Sequence, residues 1–253
     1  TPSPKTSAQL SLESFRKFGN VSKTSEKALF STVPRMAIDL GVNTIFWGEN
    51  SATQVGEKSI LGKDEFDGNK LRKMNTIQAG GDNWVNELAG NSKGNHYVYP
   101  DEIEFEKKKI NIYFLGPAWD DWSNTNNAAY AALHGLTLRP SEEDKTGDIS
   151  NASMLDEEFT NINMMIKYYK FGFGRASDIV NESIRLGEMS RNDGIKIVKK
   201  YDGVCDDSII SSYCSYVGIE ITEFWEIVYS YTNKKLFNIN EDILRPIRKF
   251  KIG

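Results

Sequence analysis

The chain has 253 residues, of which 39% are hydrophobic and 26% are charged, an ordinary mixture for a globular protein with a buried core. Its net charge of −4 argues against a nucleic-acid-binding protein, because neutralising phosphates requires an excess of Lys and Arg. No apolar run approaches the roughly 20 residues that cross a bilayer, and residues 1–10 lack the apolar core of a signal peptide. We therefore expect a cytoplasmic protein without a membrane span.

The cysteines and histidines do not have the spacing of a metal site. Cys205 and Cys214 are the only cysteines, and His96 and His134 are far apart in sequence. Neither a four-ligand zinc site nor a pair of neighbouring His ligands can be built from them. We predict that these side chains bind no metal and that both cysteine thiols are half-buried.

Residues 25–47 have the pattern of a helix followed by a strand. Apolar residues repeat at spacings of three and four up to Leu40, and Gly41 has the position of a C-cap. Pro34 is expected to bend this helix or to split it in two. The segment 42–47 is short and rich in β-branched and aromatic residues, which predicts a buried strand. A helix leading into a buried strand is typical of a parallel α/β sheet.

The rest of the chain divides into a mixed middle and a helical end. Residues 110–116 predict a second buried strand, and residues 126–135 predict a helix. Residues from 155 onward are helical in pattern, and 244–253 read as a basic, extended end. We predict a parallel α/β sheet in a domain over residues 1–154, followed by a helical domain over residues 155–253; the family resemblance given below implies that this sheet is an incomplete doubly wound one.

Polar residues follow the first predicted strand. Glycine at position 48 would let backbone approach a ligand closely, and the carboxyl edge of an α/β sheet is where ligands bind. The polar side chains expected at this edge are Glu49, Asn50, Gln54 and Glu57. The alternative is a solvated turn in which Asn50 caps the next helix, and composition alone favours that alternative.

Two aspartates flanked by Trp119 and Trp122 follow the second predicted strand. Paired carboxylates can perform acid–base or metal chemistry, and an exposed tryptophan ring can bind a sugar face. The alternative is that the acids cap a helix and the tryptophans belong to the core.

A glycine-rich turn, FGFGRASD, precedes a helix that is predicted to begin near Ser177. Its G-x-G lacks a third glycine and a preceding strand, which argues against dinucleotide binding. Arg175 beside unpaired helix N–H groups suits a phosphate or a carboxylate. The alternative is that Arg175 and Asp178 pair with each other and hold two helices together.

Lys23 and Glu26 are spaced i, i+3 near the start of a predicted helix. From the residues alone, an ordinary surface ion pair explains this spacing.

The order of these segments resembles the N-acetyl sugar amidotransferase family of lipopolysaccharide and flagellar glycan pathways. The resemblance covers the chain from about Ser11 to the end, and its segments are ALFSTVPRMAIDLGVNTIFWGENSATQVGE, TGDISNASMLDEE, YYKFGFGRASDIVNESIRLGEMSRNDGIKIVKKYDG and YCSYVGIEITEFWEIV. The segment GNVSKTSE is most similar to the branch acting in pseudaminic acid biosynthesis. Relatives resemble the adenine-nucleotide alpha-hydrolase superfamily, in which a strand followed by S-G-G-x-D-S binds the pyrophosphate of ATP. This chain contains no such motif, and we expect it upstream of Thr1.

The resemblance implies that ATP, with magnesium, activates the amide oxygen of an acetamido sugar, and that ammonia then displaces this oxygen to leave an acetamidino group. The sugar would be a nonulosonic acid or a diacetamido sugar, ammonia would come from a separate glutaminase, and the enzyme could form a homo-oligomer. The expected catalytic residues are Lys23, Glu26, Glu49 and Asn50, the substrate-binding residues are Arg175, Asp178, Gln54 and Trp119, and the cofactor-binding residues are Gly48 and Glu57. The alternative is a non-catalytic binding module that recruits a partner and has lost the ATP loop.

Overall fold

The computed structural model describes residues 3–50, 58–78, 80–89, 96–240 and 243–253. The chain divides into two compact units: unit 1 comprises Thr1–Leu10 and Lys23–Trp122, and unit 2 comprises Ser11–Ser22 and Ser123–Gly253. Helix α1 (Pro4–Phe18) contributes its first residues to unit 1 and the rest to unit 2. In sequence, most of unit 1 is therefore an insertion within unit 2.

Unit 1 contains a small parallel sheet and several helices. Its elements are α2 (Lys23–Leu40), β1 (Thr44–Trp47), α3 (Asn75–Gln78), α4 (Asn83–Ala89), α5 (Glu102–Lys108) and β2 (Asn111–Phe114). The two strands are parallel, with Thr44 opposite Asn111 and Trp47 opposite Phe114. Both predicted strands are confirmed. The doubly wound sheet is not seen in the described residues, because the described parts of the polar, glycine-rich segment between the strands form turns and short helices instead.

The two outer edges of this sheet differ. Residues 66–69 cover the edge of β2, where Gly68 N–H donates to the Ile112 carbonyl at 2.8 Å and Phe114 N–H donates to the Phe66 carbonyl at 2.8 Å. On the far side of β1, the described part of the chain provides no third strand. The sheet is thus closed at β2 and open at β1.

Helix α2 covers one face of the sheet. The Phe30 ring stacks on Trp47 with centroids 5.3 Å apart, and Ala37 packs in a cluster with Ile45. Because side chains alternate between the two faces of a strand, Phe46 is 65% exposed on the opposite face. Of the two alternatives predicted for Pro34, splitting is excluded, because α2 continues through Pro34 to Leu40.

Unit 2 is mainly helical, as predicted for the C-terminal part of the chain. Its elements are α6 (Asn124–Leu133), α7 (Glu143–Thr146), α8 (Thr160–Phe171), α9 (Arg175–Arg185), α10 (Arg191–Tyr201), α11 (Asp207–Val217), α12 (Ile221–Tyr231), β3 (Phe237–Asn240) and β4 (Ile243–Arg248). The expected extended tail is instead part of an antiparallel pair, β3 with β4. Burial of Phe237 against the rings of Tyr168 and Tyr169 anchors this pair. None of the helices described is long and apolar enough to cross a bilayer.

Residues from the N-terminal segment complete the core of unit 2. Phe15 is fully buried, with its ring 5.8 Å from Tyr213 and 5.2 Å from Phe224. The Val21 N–H donates to Asn163 Oδ1 at 2.7 Å. The core of unit 2 therefore combines residues from the first part of the sequence, such as Phe15, with residues from its last part, such as Tyr213 and Phe224.

Both cysteines are buried in this core, with Cys205 2% and Cys214 3% exposed, and neither forms a disulfide. The prediction of half-buried thiols is wrong, because each cysteine packs among apolar side chains. Burial raises the pKa of the Cys205 thiol to about 12 and that of Cys214 to about 11, so neither is a ready nucleophile.

Candidate functional site

The carboxyl ends of β1 and β2 bring two polar segments to one edge of the sheet. Because the strands are parallel, the chain leaves both at the same edge. The Leu115 N–H donates to the Trp47 carbonyl at 2.9 Å, and the Gly116 N–H donates to the Glu49 carbonyl at 3.0 Å. The predicted position of Glu49 and Asn50, directly after a parallel strand, is confirmed.

Gly116 allows the two segments to touch. A Cβ atom at this position would lie 2.8 Å from the Asn50 backbone nitrogen and 2.8 Å from the Glu49 carbonyl oxygen, closer than real Cβ contacts. Gly48 differs, since a Cβ there would meet nothing within 4 Å. The close approach of the two segments therefore depends on Gly116, whereas the close approach of a ligand to Gly48 stays a prediction.

Glu49 is held by the tryptophan at the end of β1. Trp47 Nε1–H donates to Glu49 Oε2 at 3.1 Å, and the Trp47 ring is itself fixed by stacking on Phe30. Burial raises the pKa of Glu49, and the hydrogen bond from Trp47 partly opposes that rise because it stabilises the carboxylate. A carboxyl group with a raised pKa exchanges protons closer to neutral pH, as acid–base catalysis requires.

Two tryptophans follow β2 at the same edge. Trp119 comes after the short 3-10 turn Gly116–Ala118 and is 51% exposed, so it is not a core residue. Its ring lies 5.8 Å from the ring of Trp122, tilted by 32°. The helix that follows is capped by Ser123, whose Oγ accepts from Asn126 N–H at 3.0 Å, so neither neighbouring aspartate is its N-cap. An exposed tryptophan face at a sheet edge suits a sugar ring.

Lys23 and Glu26 do not form a surface ion pair. Lys23 is 3% exposed, and its Nζ donates to the Thr76 carbonyl at 2.7 Å. Burial raises the pKa of Glu26, while a hydrogen bond with the Thr76 side chain and the charge of Lys23 act in the opposite direction. The pair is buried because α3 packs on the first turn of α2.

A second lysine, which sequence reasoning did not single out, lies one turn further along α2. Lys27 is fully buried, and its Nζ donates to the Ile77 carbonyl at 2.8 Å and to Asp82 Oδ1 at 2.7 Å. Lys23 and Lys27 thus bind carbonyl oxygens of α3, where a helix C-terminus attracts positive charge. Their i, i+4 spacing, which places both on one helix face, was the available signal.

The orientation of α2 places its first turn towards the carboxyl edge of the sheet. Phe30 packs on Trp47 at the end of β1, whereas Ala37, further along the helix, packs with Ile45 nearer the start of the strand. Helix and strand therefore run in opposite directions. The buried polar cluster at the start of α2 and the carboxyl group of Glu49 lie at the same end of unit 1.

Two of the predicted substrate-binding residues, Arg175 and Asp178, belong to unit 2. Arg175 begins α9, its Nη2 donates to Ser153 Oγ, and its Nε lies 4.0 Å from Oδ1 of the buried Asp148. Asp178 accepts a hydrogen bond from Lys167 Nζ at 2.5 Å. The alternative that Arg175 and Asp178 pair with each other is wrong, because each has a different partner.

The start of α9 is capped from within the chain. The helix has Gly174 as its N-cap rather than beginning near Ser177. The N–H groups of Gly174 and Ser177 donate to the Asp202 carboxylate at 3.0 and 2.9 Å. The Ser177 N–H, one of the helix donors that we expected for a bound anion, is therefore already satisfied by Asp202, and the Arg175 guanidinium is the main group left for an anion.

The described residues provide only part of a binding site for the ATP and magnesium that the resemblance implies. Gln54 and Glu57 lie outside the described residues. Within the described ranges, no group of three or more His, Cys, Asp or Glu could hold a metal ion. The tight contact of Gly116 with Asn50 leaves no space for a phosphate between these segments, and Lys23 already binds a backbone carbonyl. The described residues do not by themselves form an ATP–magnesium site.

Comparison with known proteins gives a match to a family model. Residues 153–251 match a family model described as "LPS biosynthesis protein WbpG-like, C-terminal domain". No curated protein matches the chain. The matched segment contains α8 to α12 and the β3–β4 pair, and so includes Arg175 but not the sheet edge of unit 1. The C-terminal part of this chain is therefore similar to a domain of lipopolysaccharide biosynthesis proteins.

Proposed function

We propose that this chain is part of an ATP-dependent N-acetyl sugar amidotransferase. The enzyme would convert an acetamido group of a nonulosonic acid or diacetamido sugar into an acetamidino group during lipopolysaccharide or flagellin glycan biosynthesis in the cytoplasm. The observation that carries the proposal is the match of residues 153–251 to a lipopolysaccharide biosynthesis domain. The resemblance of the segments around Glu49 and Arg175 to amidotransferases supports the more specific reaction.

The carboxyl edge of the sheet offers groups suited to this chemistry. In the overall reaction the nitrogen of ammonia replaces the amide oxygen, so ammonium must lose protons before and during the attack. Glu49, with a pKa raised by burial, can accept such a proton. The exposed ring of Trp119 can carry the apolar face of the sugar. Asn50 follows Glu49 at the same edge and adds an amide that can bind the acetamido group.

The open edge of β1 supports the view that further strands belong to the functional enzyme. Parallel sheets are normally covered on both faces and rarely contain only two strands. In the described residues, β1 has no neighbour on its far side, and the ring of Phe46 is exposed on the uncovered face. Strands carrying the S-G-G-x-D-S loop would pair there, and that segment would supply the phosphate contacts that unit 1 lacks.

The test compares the 253-residue chain with the complete product of its gene. Each protein is incubated with ATP, magnesium, ammonium and a diacetamido sugar, and mass spectrometry detects replacement of oxygen by NH. We expect turnover by the complete product, and Glu49→Gln to lower kcat by about 10²-fold or more. The matched control is Glu106→Gln, which removes an exposed carboxylate of unit 1.

One observation favours the second candidate, a non-catalytic binding module: the described residues do not form an ATP–magnesium site. ATP binding separates the two functions. If the complete gene product binds the sugar but neither binds ATP nor forms amidine, the amidotransferase proposal is wrong and the binding module replaces it.

A further inference from the structure

A short loop of unit 2 is built around a buried carboxylate. Asp148 is 3% exposed, and its Oδ1 accepts hydrogen bonds from the backbone N–H and the hydroxyl of Ser150 at 3.1 and 2.7 Å. Its Oδ2 accepts from the Ser153 N–H at 3.3 Å. These bonds fix the shape of the segment 148–154, here called the Asp148 loop.

Two residues of the Asp148 loop have left-handed backbone conformations. Asn151 has φ of +53° and Met154 has φ of +52°, although neither is glycine. Such strain persists only where surrounding contacts maintain it, and it is frequent at binding sites. Asn151 also has an unused acceptor: its Nδ2 donates to Glu143 Oε1 at 2.8 Å, but its buried Oδ1 has no hydrogen-bond partner.

Two arginines donate to neighbouring residues of this loop. Arg175 Nη2 donates to Ser153 Oγ, and Arg139 Nη2 donates to the Met154 carbonyl. Each guanidinium carries five N–H donors, so most of this capacity is unused by the described residues. Arg175 Nε and Arg139 Nη1 are buried and have no hydrogen-bond partner among the residues that the structure describes. Unsatisfied buried donors are costly, and they indicate a missing acceptor.

The acids near these arginines do not supply that acceptor. Asp148 Oδ1 is 4.0 Å from Arg175 Nε, too far for a hydrogen bond, and its oxygens already accept from the loop. Glu143 is engaged by Asn151. Asp148, 4.0 Å from Arg175 Nε, partly offsets the positive charge of the arginines, which favours a singly charged ligand over a phosphate dianion. A carboxylate carries one charge and matches the planar fork of a guanidinium.

We propose that Arg139 and Arg175, together with the Asp148 loop, bind the carboxylate of a sugar acid. Arg175 is 16% exposed, so a ligand can reach its guanidinium from the surface, and Asn151 Oδ1 can accept from a neighbouring sugar hydroxyl. The inference rests on the proposed function for its biological substrate, which would then be a nonulosonic acid rather than a neutral diacetamido sugar. Arg139 had no assigned role before.

The test measures ligand binding to the full chain by isothermal titration calorimetry. The probes are glucuronate, glucose as its neutral counterpart, and inorganic phosphate. We expect saturable binding of glucuronate only, and a rise in Kd of about tenfold or more in Arg139→Gln and in Arg175→Gln, which each lose a charged hydrogen-bond donor. The matched control, Arg185→Gln, changes an exposed arginine of α9 and should leave Kd unchanged.

The lysine variants Arg139→Lys and Arg175→Lys keep the positive charge but lose the planar guanidinium. If a glutamine variant does not fold, the lysine variants test whether the arginines bind the carboxylate. Each should also weaken glucuronate binding. The proposal is overturned if glucuronate does not bind, if phosphate binds more tightly, or if Arg185→Gln weakens binding equally. If the protein forms amidine from a neutral diacetamido sugar but does not bind glucuronate, the carboxylate site is refuted and the amidotransferase proposal is not. Glucuronate binding without amidine formation would instead count against the amidotransferase.

Discussion

Lys27 and Asp82 form an ion pair in which the two charges have very different environments. The Lys27 Nζ lies 2.7 Å from Asp82 Oδ1, and the Lys27 side chain is completely buried while that of Asp82 is 39% exposed. The same ammonium donates to the Ile77 carbonyl at 2.8 Å. One buried cation therefore ties the middle of α2 to α3 and to the start of α4.

Replacing Lys27 by Met should destabilise the protein by about 2–4 kcal/mol. Met has a similar length, so the main loss is the donor for the Ile77 carbonyl and the partner of Asp82. Urea unfolding followed by circular dichroism measures the change. Lys108→Met, at an exposed lysine of α5, should alter stability by no more than about 0.5 kcal/mol. Equal midpoints for the two variants would show that the buried ion pair contributes nothing.

Glu26 should make stability depend on pH. Burial raises its pKa, so the folded state binds the proton more tightly than the unfolded state does. The stabilising contribution of the protonated group is fully present below the unfolded pKa and is lost as pH rises through the folded pKa. The stability of Glu26→Gln relative to the natural protein should therefore increase as pH rises above 4.5, the ordinary pKa of a glutamate. Denaturant unfolding across that range tests this, and a constant difference would contradict it.

Trp47 should lower the pKa of Glu49 through its hydrogen bond. Trp47→Phe keeps an aromatic ring against Phe30 but removes the N–H that stabilises the Glu49 carboxylate. We expect the pKa of Glu49 to rise further, measured by NMR titration of its side-chain carboxyl carbon. Trp122→Phe is the control, because Trp122 Nε1 has no hydrogen-bond partner. A fall in the Glu49 pKa in Trp47→Phe would refute the assignment.

Gly116→Ala should cost about 1–3 kcal/mol, because its Cβ would be forced against the backbone of Glu49 and Asn50. Gly48→Ala, in the segment that Gly116 contacts, places its Cβ in open space and should be nearly neutral. Thermal unfolding of both variants provides the comparison. The close contact at the sheet edge would be in doubt if Gly48→Ala proved the more damaging change.

Asp202→Ala should destabilise the protein by about 1–2 kcal/mol, since it removes the carboxylate that caps α9. Asp202→Asn keeps an acceptor oxygen and should lose less. Glu188→Ala serves as the control, because Glu188 is exposed in the turn after the helix. Identical urea midpoints for Asp202→Ala and Glu188→Ala would argue that the cap is unimportant.

Local patterns predicted the elements of this fold better than its connections. β1 and β2 follow from short runs of β-branched and aromatic residues, and α2 follows from apolar spacings of three and four. The β3–β4 pair was missed, because basic residues in 244–253 obscure the alternation that would mark a strand. The wide sheet was an expectation from resemblance, and the described residues contain only its two-stranded part.

Sequence predicted the positions of site residues that directly follow a strand. It did not predict side-chain contacts between residues that are far apart in sequence. Glu49 follows a strand in the sequence, so its place at the sheet edge could be inferred. Lys27 could not be distinguished from an exposed helical lysine, because the groups that bury it lie about 50 residues away. Asp202 likewise caps a helix that begins 27 residues earlier. Such contacts depend on tertiary packing and leave no local pattern.

The insertion of unit 1 within unit 2 has a consequence for folding during synthesis. Phe15 emerges from the ribosome early, but Tyr213 and Phe224, which bury it, are made about 200 residues later. At ~5–20 residues per second, the wait lasts roughly 10–40 seconds. During that time Phe15 lacks two of the aromatic rings that bury it in unit 2. A nascent chain stalled before Tyr213 should therefore bind a chaperone through residues 11–22, whereas the finished chain should not.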